Sequence, residues 1–514
     1  MSRTWLKPSL VDLFFVVLMV AAFGRPQSWQ GLLADGDTGW HIRTGDYILQ
    51  TGTVPFHDLY SFSNPGQPWF AWEWLADVVF SLLNRWHGLA AVAACSAAVL
   101  CFAATLLLSW LLHRGTGLWV AVAVVLATVS ESSVHALARP HIFSLLLLTV
   151  GLWALDRDRR RPRYSIWLQI PLSAVWANLH AGFVSWLAIL GLLVVVEACQ
   201  RDWPALRRYS LLAALCTAAT FVNPYGWHLH QHIARYLGSS WIMAHVQEFQ
   251  SPNIRSENML VFAILLLLGV ALASRAFARH DWFGGALVLV WAFASMRSAR
   301  HIPIYGVAAA PLIASECAGW WSQAAASRSS RSAVRIFWDL SRELGRSCQI
   351  SVWTPILGLF GILVALPLMR SADFPSARFP VAGVTANVER LAGAGRILTS
   401  DQWGDYLIYR FYPRQRVFFD GRSDFYGPAI GEEYQNLLGL RPGWQQTLER
   451  YRFDAALLPR DWPLADVLAG NPDWNVVYRD PVCTLLVHRS PASLRSQSKG
   501  NHENCRMYSC GPGV

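Results

Sequence analysis

The feature that most limits what this chain can fold into is a succession of long apolar runs, at 9–24, 89–112, 117–129, 142–155, 183–196, 259–273 and 354–369. A helix needs about 20 apolar residues to cross the hydrocarbon core of a bilayer, and these runs approach or meet that length. Lipid offers no partner to a bare peptide group, so such runs must be helical if they span. They also explain the composition. Hydrophobic residues make up 54% of the chain and charged ones only 15%, against about 25% charged in soluble domains. The 26 Trp residues suit two interfacial belts, where indole sits best.

A formal net charge of +10 would suit nucleic acid if the charge covered one soluble face. Its placement excludes that partner. Arg157, Arg159, Arg160, Arg161 and Arg163 form one block between apolar runs, and Arg201, Arg207 and Arg208 form a second. Arg275 and Arg279 form a third, and Arg328, Arg331, Arg335, Arg342 and Arg346 a fourth. Each block follows the last by an even number of crossings, so all lie on one side. This is the positive-inside pattern, and it sets the N-terminus in the cytoplasm.

The expected architecture is a polytopic α-helical membrane protein of about eleven transmembrane helices, followed by a small extracytoplasmic α/β domain. The first helix covers about 9–25 and is expected to stay uncleaved, since no A-x-A site follows it. A long outer loop, 26–73, comes next; 73–86 reads as an amphipathic or partly inserted helix, and 88–112 crosses back. A second outer loop spans about 226–257. The transmembrane domain is 1–370. Over 371–490, short β-like runs at 396–399, 416–419, 455–458, 476–478 and 484–487 alternate with helix-like ones, which reads as an α/β domain. The Ser-, Asn- and Gly-rich tail, 491–514, is expected to be disordered. Cys95, Cys101, Cys216 and Cys317 lie in apolar runs and read as small hydrophobes, while a disulfide among Cys483, Cys505 and Cys510 stays open.

The chemistry-bearing residues gather at predicted outer ends. Asp35 and Asp37 stand two apart just after the first membrane exit. From there they can coordinate a metal or act as a general base, with His41 and Arg43 near enough to hold a phosphate. His57, Asp58 and Glu73 follow in the same loop. Arg139, Arg297, Arg300 and His301 lie at outer ends of spans, against the positive-inside bias; headgroup anchoring explains each singly, and a phosphate-binding cluster explains them together. Glu131 and His135 are spaced to share one helix face, and ionisable groups at such depth usually face a cavity. His141, His180 in the turn 178–182, and Glu248 complete the candidates.

The segment Asp37-Thr-Gly-Trp-His-Ile-Arg43 resembles the Asp-Pro-aromatic-x-x-x-Arg element of the oligosaccharyltransferase catalytic subunit, within the GT-C superfamily of membrane glycosyltransferases. It is also similar to the first loops of the protein mannosyltransferase and lipid A aminoarabinose transferase families. Still more, the chain resembles a branch of bacterial membrane proteins carrying D-x-x-W-H-x-R-x-G, R-P-H, N-x-H and D-G-R. Asp37, Trp40, His41, Arg43 and Gly45 supply the first element; Arg139-Pro140-His141, Asn178-Leu179-His180 and Asp420-Gly421-Arg422 supply the others. Departures exist. The Trp-Trp-Asp signature for peptide acceptors is absent, and Glu131, His135 and His141 stand where a second acidic pair is usual, which leaves peptide acceptors and a divalent metal (Mg or Mn) open.

What the resemblance implies is transfer of a sugar from a polyprenyl-phosphate donor to a glycan, lipid or protein acceptor, with inversion, at the outer face of a bacterial inner membrane. Asp37 is then the expected catalytic carboxylate, with Asp35 next. Arg43, Arg139, Arg297, Arg300 and His301 are expected to stabilise the departing phosphate, where fixed positive charge is needed. Two other classes stay open: a transporter or flippase of a lipid-linked glycan, and a non-catalytic scaffold or sensor. Transporters place ionisable groups near the midplane and show repeat symmetry, neither of which is visible here.

Overall fold

A computed structural model describes residues 6–256 and 259–489. The expected disordered tail, with Cys505 and Cys510, lies outside the described residues. The chain divides into two compact units. One comprises residues up to 33, 45–54 and 71–372; the other comprises 34–44, 55–70 and the chain from 373 onward.

The first unit is helical. Among the described residues, five helices are long and apolar enough to cross a membrane: Trp74–His113, Leu118–His135, Phe183–Gln200, Leu260–Ala278 and Ala299–Ala326. Leu10–Phe23, Trp282–Arg297 and Trp353–Leu368 are shorter apolar helices. This is a multi-pass membrane protein. His141–Arg160, Gln169–Leu179 and Trp203–Ala219, which complete the eleven crossings expected, are shorter or end in arginines.

Local chemistry starts and stops these helices. The Ser9 hydroxyl accepts the Val11 N–H (3.1 Å) while Asp12 accepts the Ser9 N–H (2.7 Å), a capping box at the start of Leu10–Phe23. Buried Asp12 also accepts the Ser351 hydroxyl (2.8 Å) and that of Thr354, which ties the first helix to Trp353–Leu368. Helix Trp74–His113 has 40 residues, too many for one straight crossing, and its backbone breaks at His87 and Gly88. The break falls where the sequence places the change from an amphipathic helix to a crossing one.

The outer loop expected at 26–73 carries two helices, Pro26–Leu32 and Asp37–Thr51. The second outer loop also carries two helices, Trp227–Gly238 and Ser240–His245, which bury Leu229, Ile233, Trp241 and Ile242.

The second unit is built on a four-stranded sheet: β1 (Ile397–Leu398), β2 (Ala455–Pro459), β3 (Trp474–Arg479) and β4 (Cys483–His488), in the order β1-β2-β4-β3. β1 runs parallel to β2, with Ile397 opposite Ala455, and the other pairs are antiparallel. The run at 416–419, expected as a strand, touches Ser61 and Ile397 only through single bridges at Val417, because the chain turns into Asp420-Gly421-Arg422 directly after it. Helix Asp401–Phe411 starts at Ser400, whose hydroxyl accepts the Trp403 N–H (3.3 Å), and buries Trp403, Tyr406, Leu407, Ile408 and Phe411. Cys483 is buried as a free thiol.

Candidate functional site

The four sequence elements sort into two polar clusters, one in each unit. The first-loop element as far as Thr44, with Asp420-Gly421-Arg422, belongs to the sheet-containing unit, and Gly45 to the helical one. Arg139-Pro140-His141 and Asn178-Leu179-His180 belong to the helical unit.

In the sheet-containing unit, the first-loop glycines are there for close packing. A Cβ at Gly36 would sit 2.3 Å from the Gln402 carbonyl oxygen, and one at Gly39 would sit 2.7 Å from that of Asp405. Asp35 accepts the Asp37 N–H (2.9 Å), which makes it the cap of helix Asp37–Thr51. Asp37 itself is buried. His41, also buried, lies against Trp40 with ring centroids 3.6 Å apart, and Trp40 meets Trp69 edge-on. Arg43 donates through Nε to the Tyr409 carbonyl (2.8 Å) and lies over the Tyr409 ring. His57 is exposed and bridges to Pro68.

At the centre of this unit stands Arg422, 2% exposed. It donates to Asp420 (2.8 and 2.7 Å) and to Asp58 (2.9 Å), with the rings of Trp69, Tyr60 and Phe425 within 5 Å. Asp58 also accepts from the Tyr60 and Ser61 N–H groups (3.1 and 2.9 Å), so it is a turn-forming, ion-paired residue. Beside this triad lie two more carboxylates. A Cβ at Gly421 would meet Asp37 Oδ1 at 2.1 Å and Asp405 Oδ2 at 2.9 Å, so both carboxylates crowd one point. Asp405 accepts the Gly421 N–H (3.0 Å). Burial, and then the neighbouring Asp37 and Asp420, push its carboxyl well above the ordinary carboxylate range. Two carboxyls this close disfavour ionising together.

The cluster in the helical unit is built around Glu248. Arg139 donates to its Oε1 (2.5 Å), and Arg300 donates to its Oε2 through Nη2 (2.8 Å) and Nε (3.2 Å). Burial alone would raise the Glu248 pKa; Arg139 and Arg300 outweigh it and hold the carboxylate well below its usual range. Two backbone ties fix the segment: the Ser298 hydroxyl donates to the Glu248 carbonyl (2.9 Å) and the Ala299 N–H to that of Gln250 (3.0 Å).

A row of histidines extends from there. His135 Nε2 donates to the Ala299 carbonyl (3.1 Å), and His141 Nε2 to the His135 carbonyl (2.6 Å). The His141 and His180 rings are 6.4 Å apart. His180 Nδ1 accepts the Gly182 N–H (2.9 Å), which leaves its Nε2 proton for Glu73 at 3.4 Å. Burial, with the charge of Arg300 and Arg139 adding to it, pushes His180 well below the usual imidazole value, so the ring is neutral. Asn178 accepts the Trp74 indole N–H (2.6 Å).

The remaining candidates fall elsewhere. His301 Nδ1 donates to the Ala294 carbonyl (3.2 Å), a tie back to the end of helix Trp282–Arg297. Arg297 is exposed and has no ion-pair partner among the described residues. Glu131 and His135 do not share a face, because residues 132–135 wind as a 3-10 turn with three residues per turn. Glu131 is fully buried toward Gly306, while His135 turns to Ala299. Arg43 belongs to the sheet-containing unit.

Sequence reasoning missed Asp405 and the central place of Arg422. The available signal is that Asp405 sits within Trp403-Gly404-Asp405-Tyr406-Leu407-Ile408, an otherwise buried stretch. Among the described residues, no group of three or more His, Cys, Asp or Glu side chains is arranged to hold a metal ion.

No protein-family model matches the chain, and no curated protein matches it by sequence. Two solved structures resemble its fold. The apo oligosaccharyltransferase of Archaeoglobus fulgidus is 12% identical, with a TM-score of 0.53 over 88% of this chain and 69% of that one. Apo ArnT from Cupriavidus metallidurans is 16% identical, with a TM-score of 0.47 over 92% of this chain and 97% of that one. The match to the oligosaccharyltransferase, over most of this chain, shows a shared fold.

Proposed function

We propose that this chain is an inverting glycosyltransferase of a bacterial inner membrane that moves a sugar from a polyprenyl-phosphate donor to a glycan, lipid or protein acceptor at the outer face. The observation that carries this is the convergence of Arg139 and Arg300, from different helix ends, on a single carboxylate. Two guanidinium groups on one Glu248 leave a net positive charge, and guanidinium donors suit phosphate oxygens as they suit carboxylate ones. As the acceptor oxygen attacks the anomeric carbon, the bond to phosphate breaks and the phosphate keeps the electron pair. Fixed arginines stabilise the charge that develops there. Neutral His180 and the histidine row hold the local backbone without adding competing charge.

Asp37 is the proposed carboxylate that takes the acceptor proton. Its support is chemical: two carboxyls this close disfavour ionising together, and the one left ionised can accept a proton. Asp35, as the cap of the same helix, positions it. Eleven crossings with the C-terminal unit outside complete the proposal, supported by the arginine blocks.

The experiment is steady-state transfer by purified Asp37→Asn and Arg300→Lys variants. Asp37→Asn is expected to lose at least about 100-fold in turnover, the usual worth of a general base. Arg300→Lys keeps the charge but not the fork, and is expected to lower kcat more than it raises KM. Wild-type turnover in both folded variants would remove these residues from the reaction.

A further inference from the structure

A second charged cavity lies in the helical unit, among the arginine-rich helix ends. Its volume is about 270 Å³, and its apolar wall includes Trp110, Leu152, Phe283, Leu287 and Leu312. Three acids stand in it, and each is already engaged. Asp156 accepts from Arg114 (2.6 Å), the Trp110 indole (2.8 Å) and Arg160 (3.3 Å). Glu316 accepts from Arg275 (2.7 Å) and Arg279. Asp281 caps helix Trp282–Arg297 through the Gly284 N–H (3.1 Å).

The cations are not all engaged. Arg114 Nε is buried with no hydrogen-bond partner among the described residues. Arg159 reaches Asp281 only at 3.5 Å and Glu197 at 4.0 Å, with its guanidinium over the Phe283 ring. A guanidinium has five N–H donors, so Arg114 and Arg159 bring unused donors to the wall of the same cavity. A cation entering here would meet acids already engaged by arginine, since the wall carries three arginines and three acids. An anion with several acceptor oxygens would find donors waiting. The volume suits a single phosphate ester head, just under the roughly 300–1,000 Å³ of larger ligand pockets, and the apolar wall suits the first carbons attached to it.

We infer that this cavity is a binding site for a phosphate ester group, held by Arg114 and Arg159. The positive-inside orientation sets it at the inner leaflet, where anionic phospholipid is the abundant source. The site is separate from the Arg139–Arg300 cluster and does not depend on its role.

Native mass spectrometry of the full chain, exchanged from phosphatidylglycerol into detergent carrying excess phosphatidylcholine, tests this. Wild type is expected to retain one phosphatidylglycerol per chain. Arg159→Gln, and independently Ser315→Phe, which fills the cavity and leaves its charges in place, are expected to lower retention at least tenfold. Arg335→Gln, at an exposed inner-face arginine, is expected to retain it fully. Thermal protection of wild type by inorganic phosphate, lost in Arg159→Gln, with no lipid retained would assign the same site to a free phosphate ester. Wild-type retention in both Arg159→Gln and Ser315→Phe, or neither lipid nor phosphate bound by wild type, would overturn the inference.

Discussion

A methyl group at position 421 would lie 2.1 Å from Asp37 Oδ1 and 2.9 Å from Asp405 Oδ2, so the glycine of Asp420-Gly421-Arg422 is there to let two carboxyls meet. The consequence is a pH dependence of stability. The Asp405 pKa is raised by burial first and by Asp37 next. The folded unit therefore binds a proton that the unfolded chain gives up at about pH 4. Stability is fully present below that value and is lost as pH rises toward the raised one. Asp405→Asn holds no titrating proton, keeps an acceptor for the Gly421 N–H and places an amide donor near Asp37. It is expected to melt higher than wild type at neutral pH, with the gap closing toward pH 4, in thermal unfolding between pH 4 and 8. A gap that does not change with pH would contradict a proton held by the pair.

At the scale of elements, the apolar runs and the break near Gly88 were legible because each is a local signal: length in one case, the switch from an amphipathic to a continuously apolar stretch in the other. Helix Asp37–Thr51 was not. It mixes Asp, Thr, Gly, Trp, His and Arg, and what fixes it is distant in sequence, as when Gln402 accepts the Gly36 N–H (2.7 Å). The same holds for Glu131 and His135, whose spacing of four suggests a shared face only if the α-helix continues past 131. The motif glycine Gly45 shows how tightly that helix packs: its Cβ would come within 2.0 Å of the Asp77 carbonyl oxygen and 2.7 Å of Ser81 Cβ. Backbone cannot yield as a side-chain end can. Gly45→Ala is expected to lower the melting temperature and the folded yield, at a cost of about 1–3 kcal/mol for overpacking. Gly191→Ala, where nothing lies within 4 Å of the new carbon, is expected to be neutral or stabilising by up to about 1 kcal/mol. Equal behaviour of the two variants would mean that Gly45 is not a packing contact.

For the whole molecule, the sign of the charge blocks carries the orientation. A reporter active only outside the cytoplasm is expected to work when fused after Met369 and to fail when fused near Arg160, and the reverse result would invert every outer-face assignment. The candidate residues were legible as a set, through their outer-end placement, but their grouping was not. Arg43 and Arg139 look alike as outer-end arginines, yet one holds the Tyr409 carbonyl and the other holds Glu248. That division depends on tertiary partners hundreds of residues away.

Sugar transfer with phosphate held by the arginine pair is tested most directly by following lipid phosphate release. The purified chain in lipid nanodiscs would be offered a panel of undecaprenyl-phosphate sugars together with an envelope extract as acceptor. One donor is expected to yield one undecaprenyl phosphate per sugar transferred, with release lost when Arg139 and Arg300 are both replaced by Gln. No release from any donor, with intact lipid-linked glycan instead moving between leaflets in proteoliposomes of wild type, would contradict a transferase and identify a flippase.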